Sequence, residues 1–293
     1  MRIGQRRHRM NTSGRRFRLR AEDCVLWGFA ALFILIPLAS FLVYGFFFVV
    51  DNSVVYRPTL ANFAEILSND SYRTTFFKTL RMALEVSAIN LVLGYATAYF
   101  IWLRPPAWRN FLVIALAVPL LMSYIIKIYA MRGVLGTNGL LNSVLLALGI
   151  VDEPVSALLF NLTAVRITLS VVLLPFMVLP IYISLERIPN SVLNAAADLG
   201  AGELQTFARV ILPLSLPGGI VGAMFTFVLA SGDFLAPELV GGIEGFTYGR
   251  LIFSQFGLAF NWPLGAALSI LLMIVALAVI YMARRLGNPR WQR

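Results

Sequence analysis

Residues 194–213 of this 293-residue chain read Asn-Ala-Ala-Ala-Asp-Leu-Gly-Ala-Gly-Glu-Leu-Gln-Thr-Phe-Ala-Arg-Val-Ile-Leu-Pro. The alanines favour a helix that ends near Leu199, and Gly200 then suits a left-handed turn in which a Cβ would be unfavourable. Apolar residues at helical spacing predict a second short helix over 203–211. Pro213 and Pro217 are expected to close that helix and to start the next one. The segment therefore predicts two short helices joined at a glycine corner.

Long apolar runs flank this polar segment on both sides. Hydrophobic residues make up 59% of the chain, charged residues 13%, and the mean hydropathy is +0.80. A soluble domain carries roughly a quarter charged residues, and a disordered chain has far less apolar mass than this one. The single cysteine excludes a disulfide framework, and the single histidine, His8, excludes a histidine-rich metal site. The composition is that of a polytopic membrane protein.

Six transmembrane helices are predicted, because a bilayer core of about 30 Å needs roughly 20 apolar residues per crossing. The apolar runs cover approximately residues 24–50, 76–103, 111–131, 158–185, 216–235 and 263–283. The stretch 140–150 is too short to cross and is predicted to be interfacial or re-entrant. The expected organisation is a basic tail (1–23), a first transmembrane helix (24–50), an external loop (51–75), a five-helix core (76–283) with a polar loop at 186–215, and a C-terminal tail (284–293).

The distribution of arginines predicts the orientation. Eight of them fall within the first 20 residues, and the net charge of +10 comes largely from that tail. With six spans, 16 basic residues lie on the face that carries both termini and the 186–215 loop, against four on the opposite face. Under the positive-inside rule, the termini and this loop are cytoplasmic. A basic tail before an apolar run is typical of a topology signal attracted to anionic lipid, and no nucleic-acid partner is expected.

The central segment resembles the EAA loop of permease subunits of binding-protein-dependent ABC importers. The matching residues are Asn194, Ala195, Ala196, Asp198, Leu199, Gly200, Ala201, Phe207, Leu212 and Pro213. Asn194 stands where the motif has glutamate, so it can still cap a helix but cannot form an ion pair with a basic residue of a partner. The resemblance covers about residues 74–281. It implies an all-α fold, the type I importer (MetI-like) transmembrane domain, with a cytoplasmic coupling helix.

A finer resemblance, to the spermidine/putrescine permease subfamily, lies in three other stretches. They are Leu135-Gly-Thr-Asn-Gly139, Ser231-Gly-Asp-Phe-Leu-Ala-Pro-Glu-Leu-Val-Gly-Gly242 with Gly249-Arg250, and Asn261-Trp-Pro-Leu-Gly-Ala-Ala267. This subfamily also has relatives that carry other small organic solutes. The resemblance therefore implies a polyamine cargo and leaves an opine, betaine or phosphonate as the alternative.

The family implies a set of partners. The 194–213 loop would dock on a cytoplasmic ABC ATPase dimer, and ATP with Mg²⁺ would bind there, since no Walker-type phosphate loop occurs in this chain. No cofactor is expected on the chain itself, which is not an enzyme. A second permease subunit, a sister of the C type, and an extracytoplasmic substrate-binding protein would complete the importer. The implied location is the bacterial inner membrane.

Ionisable residues within the spans are the candidates for the translocation pathway, because they are unfavourable in lipid unless they serve a function. Asp233 is the first choice, since Gly232 and Pro237 beside it can break a helix. Glu85 is expected to pair with Arg81, with a substrate role as the alternative. Lys127 and Arg166 are expected to reach the membrane interface. The candidate set is completed by Glu238 and by aromatic residues that suit a cation: Tyr124, Tyr129 and Phe234.

Two other classes of protein remain as rivals. A secondary transporter would have inverted repeats around a midplane site, and no duplicated half is evident in the 293 residues. An intramembrane enzyme would need a catalytic pair or a metal set at bilayer depth, and the sole histidine lies in the tail.

Overall fold

The computed structural model describes residues 28–29, 31–51 and 53–287. The predicted basic tail (1–23) and the first residues of the first predicted span lie outside the described residues. The chain divides into two units, residues 1–43 and 44–293. The described part of the first unit belongs to an apolar helix, α1 (Ala31–Tyr44), which opens with a π turn. The span expected over 24–50 is thus helical, among described residues, only as far as Tyr44.

A short β-hairpin follows α1 where the sequence predicts the end of a span. Strands β1 (Phe48–Val50) and β2 (Ser53–Val55) pair antiparallel with Val49 opposite Val54. The next helix, α2 (Ala61–Ser68), is held to the residues just before β1 by Asn62, whose amide donates to the carbonyls of Gly45 (3.1 Å) and Phe47 (2.6 Å). The predicted external loop therefore has regular structure of its own.

The remaining helices make up the bulk of the second unit. They are α3 (Asp70–Trp102), α4 (Pro106–Leu121), α5 (Tyr124–Leu135), α6 (Leu140–Ala147), α7 (Leu162–Glu186), α8 (Asn190–Asp198), α9 (Glu203–Gly232), α10 (Leu235–Val240), α11 (Tyr248–Gly257) and α12 (Trp262–Leu286). A single 3₁₀ turn, Ser156–Leu158, precedes α7. The all-α fold class that the family resemblance implies is confirmed, with the short hairpin as an addition.

Four of the described helices, α3, α7, α9 and α12, are long and apolar enough to cross a membrane. The span expected over 111–131 is not one straight helix, because the chain bends by 100° between α4 and the α5–α6 region. Counted as one broken span, that pair raises the number to five, and α1 contributes a shorter apolar helix of which 14 residues are described. The count of six thus remains a prediction.

Three helices, α3, α7 and α9, form the packed centre of the second unit. Met177 of α7 lies between two glycines: a Cβ on Gly94 of α3 would come within 2.4 Å of the Met177 side chain, and one on Gly222 of α9 within 2.7 Å. The surrounding apolar side chains, among them Leu173 and Ile181, are almost fully buried. Close approach of backbones at small residues is the usual way in which membrane helices gain packing energy.

Helix α9 differs from the sequence-based expectation at its start. The short helix expected over 203–211 is not closed by Pro213 but continues through it to Gly232. A π turn over Phe207–Ile211 directly precedes the prolines. Proline lacks an N–H and leaves a carbonyl one turn earlier without its usual donor, and a π turn is a common way to accommodate such a break. The second short helix expected in the motif segment and the following span are therefore one continuous helix.

Candidate functional site

The 187–211 segment runs from the end of α7 through α8 into the first turns of α9 and carries all of the sequence motif except Leu212 and Pro213. Its helix α8 ends in the predicted left-handed turn, with Gly200 at φ +77°. The N–H of Gly200 donates to the carbonyl of Ala197 (2.9 Å), and the N–H of Ala201 to that of Ala196 (3.0 Å). This hydrogen-bond pattern satisfies the last carbonyls of the helix and fixes the corner. The predicted turn at Gly200 is confirmed.

The motif residues divide into an inward and an outward set. Ala196 is buried, and Phe207 packs edge-on against Tyr99 of α3 with 5.1 Å between ring centroids. The apolar side chains of Leu199 and Leu204 are 87% and 81% exposed. Of the other motif residues, Ala201 and Leu212 are half-buried, and the exposed ones are Asn194, Ala195, Asp198, Gly200 and Pro213. Exposed leucines beside a rigid corner form a surface suited to a protein partner.

The 233–247 segment lies at the other end of α9, about 45 Å away for a 30-residue helix. Asp233 ends that helix, and its Oδ1 accepts from the N–H of Ala236 (2.8 Å), in the first turn of α10. Its Oδ2 accepts a hydrogen bond from the hydroxyl of Tyr124 in α5. Two residues that the sequence singled out separately are thus brought together. The ammonium of Lys127 lies 5.4 Å from the centroid of the Tyr124 ring.

Glu238 is paired with an arginine from the next helix. Its Oε2 lies 2.5 Å from Nε of Arg250 in α11, and Arg250 also donates to the carbonyl of Gly242 (2.7 Å). Phe234 stacks on Phe253 of the same helix, with ring centroids 4.4 Å apart and planes 13° apart. The arginine and the ring pair hold α10 and α11 together at this end of the bundle.

Glu85 of α3 is shared between two arginines. Its Oε1 accepts from Nε of Arg81 (2.9 Å), which confirms the expected pair, and its Oε2 lies 2.6 Å from Nε of Arg166 in α7. Arg166 therefore has a carboxylate partner in addition to any contact with the interface. A cleft of about 700 Å³ beside this cluster is lined by Arg81, Arg166 and also Lys78. Tyr129, the last pathway candidate, is 53% exposed on α5.

Of the three candidate carboxylates, Glu85 and Glu238 are neutralised by arginine, whereas Asp233 is held by a phenol and a backbone amide. Neither the Arg250–Glu238 pair nor the Arg166–Glu85 pair was predicted from the sequence. The available signal was general, since an arginine within an apolar stretch favours a nearby carboxylate, a carbonyl or the membrane interface. Among the described residues, no group of three His, Cys, Asp or Glu side chains is placed to hold a metal ion.

Comparisons with known proteins agree with the motif. The family described as binding-protein-dependent transport system inner membrane component matches residues 90–293. The spermidine/putrescine transport system permease protein PotB of Escherichia coli (strain K12) is 39% identical over 267 residues, which cover 90% of this chain and 96% of that protein. Such identity along nearly the whole of both chains is far more than a shared motif.

Solved structures show the same fold at low sequence identity. A chain of a bacterial alginate ABC transporter, crystallised with a periplasmic protein bound to an alginate pentasaccharide, superposes with a TM-score of 0.71 at 15% identity over 91% of this chain and 95% of that one. A chain of the MetNI methionine ABC transporter, in an inward-facing conformation, gives a TM-score of 0.56 at 17% identity, covering 73% and 93%. The fold is that of MetI-like importer permeases.

Proposed function

Since the chain belongs to the family of binding-protein-dependent transport system inner membrane components, we propose that it is the permease subunit of an ATP-driven importer and that its cargo is a polyamine such as spermidine or putrescine. The observation that carries the proposal is the exposure of Leu199 and Leu204 on a rigid corner within the motif segment. Exposed apolar side chains outside the membrane spans suit contact with a protein partner.

In this proposal, residues 187–211 form the coupling segment, which docks on a cytoplasmic ABC ATPase dimer. ATP and Mg²⁺ bind to that dimer, and this chain does no chemistry itself. The continuity of the segment with α9 supports a mechanical role, because a push on a continuous helix moves the whole span. ATP then selects between two packings of the bundle, which requires a difference in binding free energy between them.

The arginine distribution supports the orientation, with the coupling segment and both termini on the cytoplasmic side of a bacterial inner membrane. The 233–247 segment then faces the outside, at the opposite end of α9. A substrate-binding protein delivers the solute at that end, and a sister permease of the C type pairs with this chain to enclose the pathway.

Asp233 is the proposed contact for the cationic solute. Unlike Glu85 and Glu238, it is held by a hydroxyl and an amide rather than by a guanidinium, so its negative charge is available to an amine. Tyr124 fixes the carboxylate, and its ring, which already lies 5.4 Å from the ammonium of Lys127, is a surface that favours a cation. Phe234, next to Asp233 in the chain, and the exposed Tyr129, five residues after Tyr124, are the other proposed aromatic residues of the pathway.

The test is ATP-driven uptake of radiolabelled spermidine by the purified complex in proteoliposomes. We expect Asp233→Asn to lower uptake at least about tenfold, because a hydrogen bond to a charged group contributes about 1.5–3 kcal/mol. The matched control is Asp70→Asn, which removes an exposed carboxylate paired with Arg73 at the start of α3 and should leave uptake unchanged. Full uptake by Asp233→Asn would remove Asp233 from the pathway, and uptake of a betaine or a phosphonate in place of spermidine would overturn the polyamine assignment.

A further inference from the structure

Three helix ends meet next to the coupling segment, and one arginine contacts two of them. Arg109, in the first turn of α4, donates from Nη2 to the carbonyl of Trp102, the last residue of α3 (2.6 Å). Its Nη1 lies 3.5 Å from Oε1 of Glu186, the last residue of α7. The hydroxyl of Tyr182, one turn earlier in α7, donates to the same oxygen (2.5 Å).

The guanidinium is suited to this position because it is planar and carries several donors in a fixed geometry. One group can therefore contact a carbonyl on α3 and a carboxylate on α7 at the same time, which a compact ammonium on a flexible stem does poorly. The side chains of Arg109 and Glu186 are 27% and 44% exposed, so the pair is screened less than one on an open surface. Arg109 ties the end of α3 to the end of α7.

Both ends of the coupling segment lie close to the last turn of α3. Glu186 is separated from α8 only by three residues, of which Ile188 is buried and Pro189 has a fixed φ. Near the other end of the segment, the ring of Phe207 packs on Tyr99 of α3, which lies one turn before Trp102. The last turn of α3 is thus linked through Arg109 to Glu186, the residue just before the segment, and through Tyr99 to Phe207 near the segment's end.

Space is present beside the ion pair. A cleft of about 550 Å³ is lined by Arg109 and Glu186 together with Asn190 and Leu193 of α8. In the centre of the bundle, by contrast, glycines bring α3 and α9 into close contact with Met177 of α7. At this end, buried Ile101 of α3 and Leu185 of α7 also pack in one apolar cluster, and Arg109 adds a directional polar contact beside it.

We propose that Arg109 is a positioning residue that transmits movement of the coupling segment to α3, and through α3 to the packed centre. The inference rests on the proposed function, because only a chain that docks on an ATPase has such movement to transmit. Loss of Arg109 is expected to leave the docking surface at Leu199 and Leu204 intact, since both side chains are more than 80% exposed and depend little on packing within the chain. The variant is expected to bind the ATPase and hydrolyse ATP, but to convert less of that hydrolysis into transport.

The experiment measures spermidine molecules imported per ATP hydrolysed, with the complete complex in proteoliposomes. We expect Arg109→Met to lower this ratio at least about fivefold, the lower end of typical coupling between sites, while co-purification of the ATPase is unchanged. The matched control is Arg104→Met: Arg104 lies in the same connection between α3 and α4, with its guanidinium 4.1 Å from the Phe100 ring centroid, and it should keep the wild-type ratio.

Two further variants separate positioning from simple stability. Arg109→Lys keeps the charge but not the planar set of donors. Its ratio of transport to hydrolysis should therefore lie nearer to that of Arg109→Met than to wild type. Glu186→Gln should also lower the ratio, and combining it with Arg109→Met should add little, because both remove one contact.

A wild-type ratio in Arg109→Met, or in Arg109→Lys and Glu186→Gln if Arg109→Met does not assemble, overturns the inference, as does an equal loss in Arg104→Met. Absence of ATP-driven uptake by the wild-type complex would instead overturn the proposed function.

Discussion

The segments at the two ends of α9 look alike in sequence and differ in structure. Residues 187–211 and 233–247 are both polar, glycine-containing interruptions between apolar runs. In the first, large apolar side chains such as Leu199 and Leu204 face outward. In the second, Ala236, Val240 and Thr247 are fully buried, and the charge of Glu238 is met by an arginine of the same chain.

The difference shows what each segment requires. The 233–247 segment, apart from the exposed Ile243, packs most of its apolar side chains within the chain and pairs Glu238 with Arg250. The 187–211 segment satisfies its backbone through the Gly200 corner and buries Ile188, Ala196 and Ile211, but it leaves Leu199 and Leu204 uncovered. Under the proposed function, the uncovered leucines contact a partner protein, whereas the packed segment holds Asp233 in place.

A pair of glycine substitutions should separate the two segments most strongly. Gly242 and Gly200 both have a positive φ, +59° and +77°, but a Cβ on Gly242 would lie 2.7 Å from the carbonyl oxygen of Phe160, while Gly200 has nothing within 4 Å. Gly200→Ala should cost ~1–2 kcal/mol for the backbone alone. Gly242→Ala should carry the same backbone cost and, in addition, ~1–3 kcal/mol for the overlap of its Cβ with the carbonyl of Phe160. Thermal unfolding of the two variants in detergent measures the difference in their stability. Equal melting temperatures would contradict the difference in packing between the two segments.

Matched valine-to-threonine substitutions should give a smaller difference in the same direction. Val240 is fully buried, so Val240→Thr places a hydroxyl in an apolar site at a cost of ~1–3 kcal/mol. Val192, on α8, is 37% exposed, and Val192→Thr should change stability by less than ~0.5 kcal/mol. The check is the thermal unfolding of the isolated permease, without the ATPase. A larger loss in Val192→Thr would mean that the coupling segment is packed by this chain after all.

The smallest expected difference in stability is between two ion pairs. Arg250 is 23% exposed, pairs with Glu238 and donates to the carbonyl of Gly242, whereas Arg73 is 52% exposed and pairs with Asp70, which is 85% exposed. Arg250→Met should therefore cost ~1–3 kcal/mol, and Arg73→Met ~0–1 kcal/mol. Raising the salt concentration should weaken the Arg73 pair more than the Arg250 pair. Stability curves of the two variants at low and high salt test both statements.

Much of this architecture could be predicted from the sequence, because long apolar runs leave few alternatives in lipid. The runs at 158–185 and 263–283 correspond to α7 (Leu162–Glu186) and α12 (Trp262–Leu286) within a few residues. The bend after Leu121 was not predicted, because the apolar run continues through Met122. The two residues at the break, Met122 and Ser123, are neither glycine nor proline.

The hairpin and the charge pairs were missed for different reasons. The hairpin had a local signal, β-branched valines on both sides of Asp51 and Asn52, which the adjoining apolar run obscured. The pairs that Arg166 and Arg250 make depend on helices that are distant in sequence, so composition could indicate a need for a partner but not which one. The candidate site residues were found by motif and chemistry, and their grouping around Asp233 and Glu85 came only from the fold.

Cross-linking tests whether the exposed corner of the coupling segment contacts an ATPase. A photo-reactive amino acid at position 199, in place of Leu199, would be activated in intact cells during solute uptake, and the adducts identified by mass spectrometry. We expect an adduct with a cytoplasmic ABC ATPase whose yield changes with nucleotide state, and none from the same probe at Ile243, a 94% exposed residue at the other end of α9. The absence of an ATPase adduct at position 199 in every nucleotide state would contradict that contact.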